Sequence, residues 1–423
     1  MLLLNSVRRQ AMQIIYYLSS FLLYYPLVLS LFWLIGALFY YFLIERKKAT
    51  LDYERPREGI TFIISCFNEA ETIAETVTNI STLSYPKKEL IVINDGSQDD
   101  TAAVLLKLNE VYPFKFIDLK QNQGKANALN SGVKIAKYNY IMCVDADTTI
   151  DDPAPYYMID NFYTYENIGA VTGNPRIRNK RSLLGKIQTV EFASIIGGIK
   201  RAQSMNGYIN TISGVFTLLS KKALEDCNLW DIDMVTEDIA LSWKMHLHNY
   251  VIAYEPHALC WMIVPETLRG LLKQRLRWAQ GNQEVLVRDF TKVLKKKSIP
   301  FWFLFAEQLI SLIWVFSIVF SIIFLLLNLN FLDYYFYEET LNIILASSFV
   351  LITVNIILFS AQLFIDSRYE RKNMFYFLFL SWYPIFYWAI NAVTNVFALP
   401  KALKREKGAY ATWKSPDRGK VQR

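Results

Sequence analysis

The sequence predicts an α/β domain with a largely parallel sheet, set between apolar stretches long enough to cross a bilayer. Three observations carry that prediction. Short apolar runs alternate with helical patterns from residue 60 to 150, the rhythm of βαβ units. Residues 10–44, 341–365 and 375–399 hold no charged side chain, and 301–328 holds one, Glu307; about 20 apolar residues span a hydrocarbon core. The apolar run Tyr140–Val144 stops at two carboxylates, Asp145 and Asp147, and open α/β sheets bind ligands beyond the carboxyl ends of their strands.

Composition fits this division. Of 423 residues, 53% are hydrophobic and 15% aromatic, and the apolar content gathers at the two ends. Net charge is +7, but many of the cations flank apolar stretches, which reads as topology and contact with the lipid bilayer. No RNP, zinc-finger or helix-turn-helix signature accompanies them, so no nucleic acid is expected. Cys66, Cys143, Cys227 and Cys260 are widely spaced, so neither a zinc site nor a disulfide framework is suggested, as suits a reduced cytoplasmic domain.

Four regions follow: an N-terminal membrane segment (1–48), a cytoplasmic catalytic domain ending in interfacial helices (49–290), a C-terminal transmembrane region (300–400) and a basic tail (401–423). In the first, Pro26 kinks one long helix or divides a hairpin; if both cationic flanks are cytoplasmic, the hairpin is favoured. In the second, strands are expected at Thr61–Cys66, Leu90–Ile93, Phe114–Leu119 and Tyr140–Asp145, with helices at Glu69–Leu83, Asp99–Glu110 and 122–136. Further strands fall at Ala170–Thr172, Ser213–Leu219 and Val251–Trp261. A long helix covers Leu183–Ala202, another opens at Thr236, and a basic helix follows Pro265. In the third, the acidic segment Asp333–Glu339 should lie outside the cell, and the cationic segment Asp366–Lys372 and the tail inside. Three simple spans would put the tail outside, so a break near Pro384 is favoured, with the last apolar stretch entering and returning.

The candidate site begins with Asp145 and Asp147. Alternate residues of a strand share a face, so both can reach one ligand. Adjacent carboxylates repel unless a cation compensates, and a hard divalent ion bridging a diphosphate would do so. Asp95 lies at the end of the second expected strand, where a carboxylate can accept from a base N–H. Lys125 follows Gly124 at a helix start, a position that favours phosphate. Glu237 and Asp238 open a helix; a carboxylate there can serve as general base. Arg277 suits a leaving diphosphate, and Trp278 offers a flat face to a sugar. Taken singly, a solvated strand end, a turn, a surface lysine, helix N-terminal charge and an interfacial helix account for these features. The chain has no G-x-G-x-x-G and no P-loop motif, so the commonest dinucleotide and P-loop readings lose support.

Their order is specific. Asp95, Asp145-Ala146-Asp147, Thr236-Glu237-Asp238 and Gln274-x-x-Arg277-Trp278 resemble the D, D-x-D, T-E-D and Q-x-x-R-W signature of the family 2 processive glycosyltransferases, which make cellulose, chitin, hyaluronan and poly-N-acetylglucosamine. Val171–Arg178, Gly185–Gln188, Cys260–Leu268 and Ser415–Gly419 are similar to the poly-N-acetylglucosamine branch. The resemblance implies a GT-A (Rossmann-like) domain between N- and C-terminal transmembrane helices in the plasma membrane. It implies an inverting, processive transferase that polymerises UDP-N-acetylglucosamine into a β-1,6-linked biofilm exopolysaccharide and exports the growing chain, helped by a small membrane partner subunit. Carried over, Asp95 contacts uracil, Asp145 and Lys125 the nucleotide, and Asp147 binds Mg²⁺ or Mn²⁺. Asp238 is the base beside Glu237, Gln274 and Arg277 hold the diphosphate, and Trp278 stacks on the acceptor. A hyaluronan- or chitin-type synthase and a catalytically silent export scaffold are the alternatives. No PilZ-like domain follows the last membrane segment, which puts direct cyclic-di-GMP control by that route in doubt.

Overall fold

The computed structural model describes residues 2–48, 50–327, 334–379 and 383–412. The chain opens with one helix, α1 (Leu2–Leu43), with Pro26 inside it. Its 42 residues make a rod about 63 Å long. The expected hairpin is therefore not formed. A proline removes the hydrogen bond to the carbonyl four residues earlier, here that of Leu22. The indole Nε1–H of Trp314 donates to this carbonyl at 3.0 Å. The tyrosine beside the proline is also tied to the same neighbouring helix: Tyr25 hydrogen-bonds the Glu307 carbonyl at 3.1 Å and the Ser311 hydroxyl at 2.6 Å. These contacts keep the helix whole across its weak point.

After the linker the α/β rhythm appears as expected. It runs β1 (Ile60–Cys66), α2 (Ile73–Thr82), β2 (Lys88–Asp95), α3 (Thr101–Val111), β3 (Lys115–Leu119), α4 (Lys125–Ile135) and β4 (Tyr140–Asp145). Then come β5 (Thr149–Ile150), α5 (Ala154–Thr164), β6 (Ile168–Ile177) and α6 (Leu183–Val190). A π turn over Glu191–Ile196 joins α6 to α7 (Gly197–Ser204), so the long helix expected over 183–202 carries a break in register. The domain continues with β7 (Phe216–Ser220), α8 (Lys221–Asp226), α9 (Glu237–Leu247), β8 (Val251–Met262) and α10 (Leu268–Lys295).

The eight strands form one sheet in the order β3-β2-β1-β4-β7-β6-β8-β5. The sheet is mixed rather than largely parallel: β7 runs antiparallel to both β4 and β6, and β5 to β8. Between β6 and β7 the chain runs through α6, the π turn, α7 and a loop, a connection long enough to admit either pairing direction. The parallel half, β3-β2-β1-β4, has its switch point at β1, where the chain order reverses. The end of β1 is thus flanked by the ends of β2 and β4, with Ser65 paired to Asp145 and Cys66 to Asn94. Ile60, Phe62, Ile63, Ile64, Ile91, Val92 and Met142 are completely buried in these strands. Burial on both faces is what a near-continuous apolar run predicts.

Beyond the sheet lie α11 (Ile299–Leu327), α12 (Tyr334–Asp366), a 3-10 segment Arg371–Phe379 and α13 (Tyr383–Leu403). Three helical segments, 16–47, 299–324 and 345–366, are long and apolar enough to cross a membrane. Of the expected acidic loop, Asp333 lies outside the described residues, and Tyr334–Glu339 belong to α12. The expected break near Pro384 falls on residues 380–382, which lie outside the described residues; Pro384 itself occupies the first turn of α13, where its missing N–H costs nothing. After α13 the chain returns to the α/β domain. Arg405 Nη1 meets Asp233 Oδ2 at 3.0 Å, the Gly408 N–H donates to the same oxygen, and the Ala411 N–H donates to the Ile232 carbonyl at 2.8 Å.

Replacing Trp314 by Phe should lower stability by about 1 kcal/mol, the cost of leaving a partly buried carbonyl without a donor. In a Pro26→Ala background, where residue 26 regains its N–H, the same replacement should cost clearly less. Thermal inactivation of the detergent-extracted protein checks both.

Candidate active site

Asp95 is the last residue of β2 and is buried. Its Oδ1 accepts the Gln123 N–H at 2.9 Å and its Oδ2 the Gly124 N–H at 2.8 Å. Burial raises its pKa, and these two donors pull against that. The carboxylate therefore braces the loop that leads into α4, and a further lone pair on each oxygen can still face a base N–H. Gly124, at φ +87°, takes the left-handed turn into the helix, and the Ala411 carbonyl lies where its Cβ would be. The tail thus packs directly on the loop before Lys125.

Lys125 is the hub. Its Nζ lies 2.5 Å from Asp145 Oδ1, 2.9 Å from the Gly214 carbonyl and 3.2 Å from Glu237 Oε1. Burial alone would depress its pKa, but Asp145 and Glu237 outweigh it, and the lysine is held firmly protonated. One cation thereby joins the end of β4 to the start of α9. A narrow recess lies beside it, walled by Ser65, Cys66, Phe67, Glu69 and Ala146 together with the two aspartates 95 and 145.

The strand ends at Asp145, so Asp147 belongs to the following turn, and strand alternation does not align the two carboxylates. Asp147 is buried and accepts from the Thr148 hydroxyl at 3.1 Å. Among the described residues no group of three or more His, Cys, Asp or Glu could hold a metal ion alone. Asp147 supplies hard oxygen of the kind Mg²⁺ and Mn²⁺ prefer, and the remaining ligands would have to be phosphate oxygens and water.

Asp238 lies in the first turn of α9. Its Oδ1 accepts the Ile239 N–H at 2.9 Å and its Oδ2 the Gly214 N–H at 3.2 Å. A Cβ on Gly214 would stand 3.0 Å from this carboxylate, so the glycine admits the acid. Burial, then the neighbouring Glu237 charge, push the Asp238 pKa up to about 6, against the pull of Lys125 and Arg277. A carboxylate poised there is ionised at neutral pH and still basic enough to take a proton.

Gln274, Arg277 and Trp278 all lie on α10. This helix is seated against the Thr236 N-cap of α9, where a Cβ on Gly281 would fall 1.8 Å from the Thr236 hydroxyl oxygen and 2.6 Å from its Cβ. Glu284, also on α10 and buried, accepts the Val235 N–H at 3.2 Å. Arg277 is exposed and within electrostatic reach of Asp238. Trp278 is half-buried, and the cation stacked on its ring is Arg275, 4.2 Å from the centroid. The structure therefore gathers Asp145, Lys125, Glu237 and Asp238 into one cluster. Asp95 is attached through the Lys125 loop, and the α10 residues run alongside. Sequence reasoning missed Gly214, whose carbonyl and N–H touch both Lys125 and Asp238. Its only signal was a glycine after a short polar stretch.

Comparison with known proteins follows this geometry. The family model described as "Glycosyl transferase family 2" matches residues 61–227, and the chain belongs to that family: it is a glycosyltransferase with the GT-A fold. It is 54% identical over 411 residues to the poly-beta-1,6-N-acetyl-D-glucosamine synthase of Staphylococcus epidermidis, covering 96% of this chain and 100% of that one. It is 55% identical over 409 residues to the synthase of the same name from Staphylococcus aureus strain COL, covering 96% and 99%. A mannosyltransferase of Pyrobaculum calidifontis, solved with GDP-Man and Mn²⁺, shares the fold with a TM-score of 0.61 at 19% identity, over 92% of this chain and 99% of that one.

Gly281→Ala should force α10 away from the N-terminus of α9, because the atoms in its way include the Thr236 Cβ and not a flexible chain end. Overpacking of this kind costs about 1–3 kcal/mol. Transfer activity in membranes should fall about tenfold or more, since small displacements between catalytic groups are amplified in rate.

Proposed function

We propose that the chain is a processive, inverting N-acetylglucosaminyltransferase that polymerises UDP-N-acetylglucosamine into β-1,6-linked poly-N-acetylglucosamine. The observation that carries the reading is similarity of 54–55% to synthases of that product along essentially the whole of both chains. The site is chemically suited to the task. The acceptor 6-hydroxyl attacks C1 of the α-linked donor, Asp238 takes its proton, and the bond from C1 to the UDP oxygen breaks. In-line displacement turns the α-linked donor into a β-linkage. Asp238 is placed for this by Gly214 and kept basic by burial and Glu237. Lys125 and Asp145 meet the nucleotide side, Asp95 holds their loop beside the uracil, and Gln274 and Arg277 retain the diphosphate. Asp147, with phosphate oxygens, would hold Mg²⁺ or Mn²⁺, which when bound neutralises charge on the leaving UDP. Trp278 supports the acceptor sugar.

The site belongs on the cytoplasmic face of a membrane. Three cationic segments all contact the α/β domain: Lys48 pairs with Glu255, the segment after α12 meets Arg176 and Lys180 through Asp366 and Glu370, and Arg405 pairs with Asp233. With α11 and α12 crossing as a pair, the tail can return to the domain only if residues 371–379 and α13 enter and leave on one side. Cations gathered on that side mark it as cytoplasmic. Buried oxygens without a hydrogen-bond partner occur at Gln274, Asn282 and Gln283 on α10 and at Glu307 on α11. A hydroxyl-rich chain leaving the site would supply donors to them. Export, and a small membrane partner subunit that completes the path, rest on the family resemblance.

Membranes carrying the protein should convert UDP-N-acetylglucosamine, and neither UDP-glucose nor UDP-glucuronate, into polymer. The reaction should require Mg²⁺ or Mn²⁺, and a β-1,6-specific hexosaminidase should degrade the product. A product resistant to that enzyme, or turnover of another donor, overturns the assignment. Silence with every donor, even when the partner subunit is co-expressed, favours an export scaffold.

Asp238→Asn should lower turnover about 10²–10⁴-fold. In the unaltered protein the base form is lost as pH falls through about 6, so the rate should fall tenfold per unit below that point. A pH–rate profile between pH 5 and 8, on the order of the range where such a group titrates, checks the limb.

A further inference from the structure

The π turn at Glu191–Ile196 and the acceptor face of the site meet at one side chain, Arg275. Glu191 is buried, Arg275 nearly so, and the Arg275 Nη2 donates to Glu191 Oε2 at 2.6 Å. The same guanidinium lies 4.2 Å from the centre of the Trp278 indole, a stacking distance at which a planar cation is attracted to the ring. Residues of the same turn pack near the indole. Phe192 and Ile196 cluster with Trp278, together with Ile177, Met262 and Val264 from the ends of β6 and β8.

A π turn inserts one residue into the helical register. The turn carries both Glu191, which meets the arginine, and Phe192, which belongs to the apolar cluster that Trp278 packs against. Buried ion pairs are expensive to desolvate and often replaceable by apolar side chains without loss of stability. A buried pair whose cation also covers a ring at the site therefore points to positioning.

We propose that Glu191 is a positioning residue, which through Arg275 fixes the Trp278 indole so that the acceptor sugar, and not water, receives the donor sugar. This rests on the reading of Trp278 as the acceptor platform. Glu191 itself touches no substrate in this scheme. Its effect is on coupling: with the indole displaced, water can take the acceptor's place, so UDP is released without chain growth while the nucleotide contacts of Lys125 and Asp145 are untouched.

The test measures UDP release and polymer formation side by side in membranes holding the full chain, with UDP-N-acetylglucosamine as donor. Glu191→Gln and Arg275→Lys should each lower polymer formation about 10- to 100-fold, the scale of a misplaced reactant. They should leave the donor KM within about twofold and raise the UDP released per sugar polymerised. The exchange Glu191→Arg with Arg275→Glu restores opposite charges but sets a carboxylate against the ring, and should remain uncoupled. Normal polymer formation by Glu191→Gln, or recovery by the exchange, would overturn the proposal. So would loss of UDP binding in both single variants, because that marks a general distortion. Trp278→Ala separates the two levels. If it polymerises normally, the platform reading fails, whatever Glu191 does. If it is uncoupled and Glu191→Gln is not, the platform stands and the positioning role falls.

Discussion

Everything at the site depends on one partly buried cation. Lys125 sits where three elements converge: the end of β4 through Asp145, the start of α9 through Glu237, and the turn before β7 through the Gly214 carbonyl. Without a positive charge between them, Asp145, Glu237 and Asp238 would repel one another and separate. With it, Asp145, proposed to meet the nucleotide, and Asp238, proposed to take the proton, share one electrostatic environment. The lysine is itself positioned indirectly, by the two backbone N–H groups that Asp95 accepts from the loop before it. A carboxylate at the end of one strand thus determines where a cation meets the carboxylate at the end of another.

Much of this was legible in the sequence because the parallel half of the sheet obeys local rules. The apolar runs at 61–66, 90–93 and 140–145 had to be buried strands, and crossover handedness put their ends on one edge. Lys125 at a helix start and Glu237-Asp238 in a first helical turn were readable for the same reason. The antiparallel entry of β7 was not, since no local pattern states pairing direction. The bracing contact of Asp95 with the loop was not legible, because its partners, the N–H groups of Gln123 and Gly124, have no side-chain signature. Asp147 was placed on a strand by alternation, but the ladder stops two residues before it. The π turn hid inside a pattern that reads as one helix, and with it Glu191, an acid with no motif around it.

The membrane half was less legible. Pro26 signalled a division of the first apolar stretch, and the residue that averts it, Trp314, lies almost 300 positions away. The parity of the C-terminal helices could not be settled by hydropathy, because 375–399 is as charge-free as a true span. The contacts beyond α13 are polar and local: Arg405, Gly408 and Ala411 bind the loop at 232–233, close to the turn that carries Lys125. The last apolar stretch therefore has to deliver the tail to the catalytic face. Placement of the tail against Gly124 also ties the membrane region to the nucleotide side of the site.

The most direct test of this account is the pH–rate profile of Lys125→Met for polymer formation. Lys125 lowers the Asp238 pKa, so removing its charge should move the acid limb to higher pH as well as weaken nucleotide binding. An acid limb that stays near its original position, with turnover at saturating donor preserved, would contradict the claim that one cation governs both the nucleotide side and the base.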